Sequence, residues 1–335
     1  MSQSQAPARF GPRDAAGRST ALQLIAAAII AGLVVALALG HRQLLGTGRE
    51  TLLGADGEWL GIAAIAAALL YVVGTITQMG AIPVRPPVHR LLAVQVAASF
   101  LNHLLPAGSG GIAVNVRFLQ RNGMTRAGAF AAVGLNSFAG MVTHLMLVIG
   151  SLALAPSVLA SLPELQAPGW VTPSTVDVVV VVGLVTAAAA AAWWRLHGRI
   201  GVTVHAALMR VRTETRDLRR VLADPWRAAG LWLGSLCVPL LHSVVLVAVL
   251  RAIDVSAPVA AVAITYVVAS AAASLLPSPG GVGALDVALV AGLVAIGVTA
   301  PVAVAAVVAY RLCTVWAPLV PSALVFAVLL RRRII

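Results

Sequence analysis

The chain has 335 residues, of which 60% are hydrophobic and only 10% are charged, and its mean hydropathy is +0.97. Several apolar runs approach the roughly 20 residues that a spanning helix needs, which indicates a polytopic integral membrane protein and excludes an ordinary soluble domain. The net charge of +12 does not indicate nucleic-acid binding, because the arginines are grouped between apolar runs, as topology signals are in membrane proteins.

Six apolar runs predict spanning helices. The first run follows three arginines and is longer than the roughly 7 to 15 residues of a signal-peptide core, so we expect a tail at residues 1–19 and an uncleaved first helix. The last run contains Pro318 and Pro321, which predict a kink. The six runs are residues 20–40, 59–79, 127–154, 176–194, 228–250 and 302–330.

Two further apolar segments, residues 91–116 and 257–298, are each interrupted by a similar motif. The first motif is Leu104-Leu-Pro-Ala-Gly-Ser-Gly-Gly111, and the second is Leu275-Leu-Pro-Ser-Pro-Gly-Gly-Val282. In lipid an unpaired backbone N–H or C=O costs several kcal/mol, so irregular backbone persists only where protein or a water-filled cavity covers it. Breaks in matched places therefore indicate the binding region of a transporter.

The arginines predict which loops share a face of the membrane, since short cytoplasmic loops accumulate arginine. All 23 basic residues are arginines, and 19 of them fall in the N-terminal tail, residues 81–90, 117–126 and 195–227, and the C-terminal tail. We place these regions in the cytoplasm, which leaves both termini on the inner side of a bacterial cytoplasmic membrane. The loop around Glu164 has no arginine and fits the outer face.

This distribution predicts the form of the two interrupted segments. The first must enter and leave on the cytoplasmic side, and its first arm, residues 91–105, is about 22 Å long, which is short of the roughly 30 Å hydrocarbon core. The second must dip in from the outside. We therefore predict an all-α membrane protein with about six spanning helices and two opposed re-entrant, broken-helix hairpins that form an inverted repeat. Eight full crossings satisfy the same arginine distribution.

Residues 195–227 form the longest predicted cytoplasmic stretch. Leucine and valine recur there near helical spacing among arginines, which is typical of an interfacial helix that binds anionic inner-leaflet lipids. A plain arginine-rich loop explains the pattern equally well. Cys237 and Cys313 lie in apolar runs without metal-ligand or disulfide spacing, and we expect no metal and no cofactor.

The second motif and the residues after it carry a resemblance to a known family. Pro277-Ser-Pro-Gly-Gly-Val-Gly-Ala-Leu-Asp286, with Tyr310-Arg-Leu and Trp316-Ala-Pro further on, resembles the signature of the lysylphosphatidylglycerol synthase transmembrane domain family, also called flippase-like. The resemblance covers roughly residues 20–333, which we take as one domain. The first motif departs from the family pattern, because Gly110-Gly111 stand where the family commonly has Gly-Glu. A different lipid headgroup would account for this departure.

The resemblance implies a multi-pass domain that handles polar lipids. In the best-known members aminoacyl transfer belongs to a separate soluble domain; this chain ends at Ile335, so we expect no synthase activity and no enzyme. The expected function is a lipid flippase that moves an amphipathic phospholipid or a lipid-linked sugar between leaflets. The alternative is a non-transporting membrane partner or scaffold that presents lipid to a cell-envelope enzyme. Either function is compatible with a homo-oligomer.

The candidate binding residues begin with the prolines and glycines of the two motifs. Such turns leave backbone N–H groups aimed at an anion, reinforced by the N-terminus of the following helix. The alternative is that the glycines only allow close helix packing. The residues are Pro106, Gly108, Gly110, Gly111, Pro277, Gly280, Gly281 and Gly283.

Asp286 and Arg311 are the strongest candidates among the charged residues. Ionisable groups in a membrane are expensive and usually face a cavity or each other, so we expect these two to pair, with Arg311 available to bind a lipid phosphate by two hydrogen bonds. A static salt bridge is the alternative. Tyr310 joins the site through the Tyr-Arg-Leu motif of the resemblance.

Three residues near the first motif complete the candidate site. Arg117 follows the first hairpin, where it can contact a headgroup or serve only as a topology signal. Asn102 and His103 precede the first turn and are weaker candidates to cap it or line its cavity. His144 and His242 rank below them.

Overall fold

The computed structural model describes residues 54–105, 108–154, 223–274 and 283–335, and within these ranges the chain is helical and has no strands. The described residues form α1 (Gly57–Ala81), α2 (Val88–Leu104), α3 (Ser109–Arg121), α4 (Arg126–Leu154), α5 (Pro225–Ala252), α6 (Val259–Ser274), α7 (Ala284–Ala295), α8 (Ala300–Arg311), a π-helical turn (Leu312–Trp316) and α9 (Ala317–Arg331).

Several predictions fall outside the described residues. They are the tail at 1–19, the runs at 20–40 and 176–194, the interfacial segment up to residue 222, and the motif residues Pro106, Pro277, Gly280 and Gly281.

Four of the predicted spans are present. Helices α1, α4 and α5, and the continuous helix from Ala300 to Arg331, are long and apolar enough to cross a membrane, and each begins and ends within three residues of its prediction. Side-chain caps fix two of the starts: Asp56 accepts a hydrogen bond from the Glu58 N–H (2.8 Å), and Asp224 accepts one from the Trp226 N–H (3.1 Å). The chain is therefore an all-α membrane protein, as its composition predicted.

The last span is interrupted where the sequence predicted a kink. Between α8 and α9 the backbone makes a π turn, in which the Ala317 N–H donates to the Leu312 carbonyl five residues earlier. Pro318 and Pro321 follow directly, and neither has an N–H to continue the α-helical hydrogen bonds. The irregularity thus lies just before the prolines and takes the form of a π turn, a feature common at functional sites.

Hydrogen bonds from arginine side chains to backbone carbonyls show which of the described loops lie at the same face. The Arg121 guanidinium donates to the carbonyl of Arg333, and the Arg227 guanidinium donates to the carbonyl of Ile82. The loops after α1 and α3, the start of α5 and the end of α9 therefore lie together; we call this the arginine-rich face. It contains Arg85, Arg90, Arg121, Arg227, Arg331, Arg332 and Arg333.

The opposite face holds the other ends of the same helices. There the Asp56 N–H donates to the Ala252 carbonyl (2.8 Å), which joins the start of α1 to the end of α5. These two helices run antiparallel and make the most extensive helix–helix contact among the described elements. The grouping of the described loops by face agrees with the arginine distribution of the sequence.

The two interrupted segments are re-entrant hairpins of opposite orientation. Helices α2 and α3 have 17 and 13 residues, or about 26 and 20 Å, which is too short to cross a core of about 30 Å. Their outer ends both lie at the arginine-rich face. Helices α6 and α7 have 16 and 12 residues. Their outer ends lie at the opposite face, because α6 follows the end of α5 and α7 precedes the start of α8. The lengths and orientations of the described arms agree with the predicted inverted pair of hairpins.

The outward surfaces of the spans are apolar. Ile65 on α1, Met146 on α4 and Val320 on α9 are 64%, 66% and 66% exposed. Large apolar side chains on the surface suit contact with lipid chains, because the lipid chains are as apolar as the side chains themselves. Polar side chains such as Gln78, Asn115 and Arg311 are buried in the interior.

Candidate functional site

The centre of the site is an ion pair between Asp286 and Arg311. Arg311, the last residue of α8, donates from Nε to Oδ1 of Asp286 at 2.5 Å, and its side chain is only 9% exposed. The Asp286 side chain is 28% exposed. The pairing predicted from the cost of isolated charges in a membrane is confirmed as a contact.

Asp286 is held in place by the start of its own helix. It is the third residue of α7, and its Oδ2 accepts a hydrogen bond from the N–H of Gly283, the N-cap residue (2.9 Å). A carboxylate in this position satisfies one of the unpaired N–H groups of the helix start and is stabilised by the helix dipole. Both carboxylate oxygens are therefore engaged, one by the backbone and one by Arg311.

The two hairpins use the same device to start their second arms. Gly108 is the N-cap of α3 with φ +67°, and Gly283 is the N-cap of α7 with φ +87°. Glycine adopts positive φ without the steric cost that a side chain brings. The two glycines do not occupy matching places in the repeat, since Gly108 is two residues after Pro106 and Gly283 is six residues after Pro277. The second arms therefore share a glycine cap with positive φ, but not a repeated turn.

The first hairpin is closed by packing. The Gly111 N–H donates to Oδ1 of Asn102 (2.6 Å), so this N–H already has an acceptor. A Cβ at Gly111 would lie 2.7 Å from the same amide oxygen, and one at Gly110 would overlap the Leu101 carbonyl. These two glycines let α3 approach α2 closely, which supports the packing alternative.

The interior of the first hairpin is polar but uncharged. Asn115 donates from Nδ2 to the Gly111 carbonyl (2.9 Å), and Gln95 on α2 donates from Nε2 to Oδ1 of Asn115 (2.9 Å). The Asn102 amide occupies the space that a side chain at residue 111, where the family commonly has glutamate, would fill. Amides therefore supply the polarity of this hairpin, whereas the second hairpin contributes the carboxylate of Asp286, which pairs with Arg311 of α8.

Tyr310 lies behind Arg311 in a buried aromatic cluster. Its hydroxyl is 2.8 Å from Nδ1 of His242 on α5, and the His242 ring stacks on Tyr266 of α6 at a centroid distance of 5.3 Å. Tyr310 is 1% exposed, so it anchors the end of α8 and offers no surface to a ligand. The sequence ranked His242 low and missed Tyr266. The sequence feature that could have indicated these two residues is a polar side chain within an apolar run.

His103 lies at the end of α2, the first arm of the first hairpin. Its Nδ1 is buried and has no hydrogen-bond partner among the described residues. Arg311 lies about a third of the way along the continuous helix from Ala300 to Arg331.

Arg117 lies elsewhere. It is exposed on α3, one turn before the end of that helix at the arginine-rich face. It lines a groove of about 440 Å³ with residues of α3 and α4. The structure therefore separates Arg117 from the ion pair, although the sequence grouped them in one site.

We find no group of three histidine, cysteine or acidic side chains near enough to hold a metal ion within the described ranges. Cys237 on α5 is exposed, and Cys313, in the π turn, is partly exposed; both are free thiols. What the site offers chemically is one guanidinium, one partly accessible carboxylate and neutral amide and imidazole groups.

Comparison with curated proteins finds no match. The family model described as "Lysylphosphatidylglycerol synthase TM region" matches residues 23–322. The matched range covers most of the chain and includes both hairpins and the ion pair. Together with the motif Pro277 to Asp286 and the Tyr-Arg-Leu sequence that places Arg311, this match shows that the chain belongs to the lysylphosphatidylglycerol synthase transmembrane-region family.

Proposed function

We propose that this protein binds an amphipathic polar lipid, a phospholipid or a lipid-linked sugar, and moves it between the leaflets of the membrane. Membership of the family indicates a lipid-related function in the membrane. The observation that carries the finer proposal is the partly exposed Asp286–Arg311 pair, which joins the second hairpin to the last spanning helix. The proposal involves transport only, without aminoacyl transfer.

The energetic problem of lipid movement is the polar headgroup, because the acyl chains remain in hydrocarbon throughout. Polar groups at membrane depth are expensive unless a protein group replaces their water. The arms of the hairpins measure about 18 to 26 Å, so each hairpin brings polar backbone and amide groups partway across the membrane from its own face. A headgroup that passes between the hairpins therefore travels a shorter distance through hydrocarbon without polar protein groups beside it.

Arg311 is suited to receive such a headgroup. A guanidinium binds a phosphate through two parallel hydrogen bonds, and these are stronger than bonds between neutral groups. In our mechanism the lipid phosphate replaces the Asp286 carboxylate on Arg311, and the carboxylate restores the pair when the lipid leaves. The exposure of Asp286, 28% against 9% for Arg311, favours Asp286 as the partner that moves away.

Lipid exchange in proteoliposomes tests this proposal. Fluorescent phospholipids of several headgroups are reconstituted with the protein, and a membrane-impermeant quencher measures how much reaches the outer leaflet. We expect protein-dependent exchange, and a loss of at least about tenfold in rate for Asp286→Asn or Arg311→Gln. Asp254→Asn is the matched control, since Asp254 is an exposed aspartate outside the site.

Exchange at the wild-type rate in both site variants would refute the role of the pair. The second candidate function is a scaffold that presents lipid to an enzyme. The same site supports it, since lipid binding at Arg311 does not require movement between leaflets. Lipid retained by the purified protein without any exchange would favour the scaffold.

We also propose that the arginine-rich face is cytoplasmic and that the membrane is the bacterial inner membrane, because arginine accumulates in cytoplasmic loops. Cysteines introduced at Gly57 and Arg332, both exposed and at opposite faces, test the orientation. A membrane-impermeant thiol reagent added to intact cells should label Gly57→Cys and spare Arg332→Cys. The reverse labelling would overturn the assignment.

A further inference from the structure

The groove that contains Arg117 has the composition of a lipid-headgroup site. It runs along α3 and the start of α4, has a volume of about 440 Å³, and is lined by Ala113, Val116, Arg117, Gln120, Arg126 and Phe130. The α3 residues recur at positions i, i+3, i+4 and i+7, so they lie on one side of that helix. Arg126 and Phe130 are four residues apart and share one side of α4.

The groove is polar at one end and apolar at the other. Gln120 and Arg126 lie next to the arginine-rich face, and Arg117 is one turn deeper. Ala113 lies about 10 Å deeper along the helix axis than Gln120. Its apolar walls include Phe130, which is 48% exposed. A molecule that fits this gradient has a polar, charged end at the membrane surface and an apolar body within the membrane.

The charge of the groove is positive, and no carboxylate of the described residues pairs with it. None of the lining residues is acidic, and the described carboxylates that form ion pairs belong to Asp224 and Asp286, which bind other arginines. The Arg126 guanidinium lies 5.9 Å from the centre of the Phe130 ring, a cation–π contact that orients it without satisfying its hydrogen-bond donors.

We propose that this groove binds the phosphate of an anionic glycerophospholipid from the leaflet at the arginine-rich face. Arg117 and Arg126 donate to the phosphate oxygens, Gln120 donates to the glycerol or headgroup oxygens, and an acyl chain lies along Ala113 and Phe130. This site is separate from the Asp286–Arg311 pair, and it holds lipid whether or not the protein translocates any.

Binding of short-chain phosphatidylglycerol to the detergent-solubilised protein tests the proposal. Titration calorimetry gives the affinity, and native mass spectrometry counts the lipids retained. We expect the double variant Arg117→Gln/Arg126→Gln to lose at least about tenfold in affinity, since two hydrogen bonds to a charged group are removed. The control is Arg85→Gln/Arg90→Gln, which removes the same charge from exposed residues of the same face outside the groove.

Three outcomes would overturn the proposal. Equal losses in the groove and control variants would indicate general attraction between a positive surface and anionic lipid. Equal affinity for phosphatidylcholine would show that the arginines do not select charge, and equal affinity for glycerol phosphate would show a site for a soluble anion. A Phe130→Ala variant that weakens phosphatidylglycerol but not glycerol phosphate would support the apolar part of the site. Every measurement here is of lipid binding. The test therefore stays valid even if the protein is found not to move lipid between leaflets.

Discussion

Replacing Asp286 with asparagine removes a negative charge beside a buried guanidinium while keeping a side-chain oxygen that can accept from the Gly283 N–H. Breaking a buried pair from one side costs about 3–5 kcal/mol when both groups are buried. Here Arg311 is 9% exposed but Asp286 is 28% exposed, so we expect the lower end, about 3 kcal/mol. Arg311→Gln leaves a partly exposed carboxylate that still caps α7, so a loss of about 2 kcal/mol is expected.

The double variant separates the pair from its parts. If the two side chains stabilise the protein chiefly through each other, Asp286→Asn/Arg311→Gln should lose about 3 kcal/mol, less than the sum of the single losses, which gives a coupling energy of about 2 kcal/mol. The free energy of unfolding is measured in mixed micelles with increasing denaturing detergent. Losses that add to within about 0.5 kcal/mol would refute the energetic coupling inferred from the 2.5 Å contact.

The same double variant also distinguishes a static salt bridge from a working site. A static bridge predicts that the double variant, once folded, exchanges lipid at the wild-type rate. If the pair binds a lipid headgroup, the double variant should fold but should not exchange lipid.

Two further substitutions test the packing around the site, each measured as a change in the free energy of unfolding. Gly110→Ala places a Cβ against the backbone of α2 and should cost about 1–3 kcal/mol, whereas Gly134→Ala on α4, where nothing lies within 4 Å, should be neutral or stabilising; equal effects would contradict the close approach. Tyr310→Phe removes the hydroxyl bound to His242 at 2.8 Å and should cost about 1 kcal/mol. Tyr71→Phe removes only a 3.4 Å contact and should cost less, and the reverse order would contradict the geometry.

The sequence predicts the spanning helices and the face at which each described loop lies, because the bilayer constrains both. A helix that crosses lipid must be apolar over about 20 residues, and arginine marks the loops on one side. These constraints act on each segment separately, so they need no knowledge of its neighbours. The pairing of Asp286 with Arg311 was predictable for a related reason, since an isolated charge at that depth is costly.

The interior of the hairpins was not predictable in the same way. A helix such as α5 is apolar on all sides, so its sequence has no period that tells which side turns inward; the contact of His242 with Tyr310 depends on that rotation. Gly110 and Gly111 fit an anion cradle and close packing equally well as a sequence. The position of Asn102, which is set by how α2 meets α3, supports packing.

The π turn between α8 and α9 has a consequence for insertions and deletions in this helix. A π turn holds one residue more than an α turn, and each residue of an α-helix turns the chain by about 100°. Deleting one residue within Leu312–Trp316 should therefore convert the π turn to an α turn and leave Arg311 facing Asp286. A deletion within α8 would instead rotate Arg311 by about 100° relative to the preceding part of the helix. A one-residue deletion is thus expected to preserve the ion pair when it falls in the π turn, but not when it falls in α8.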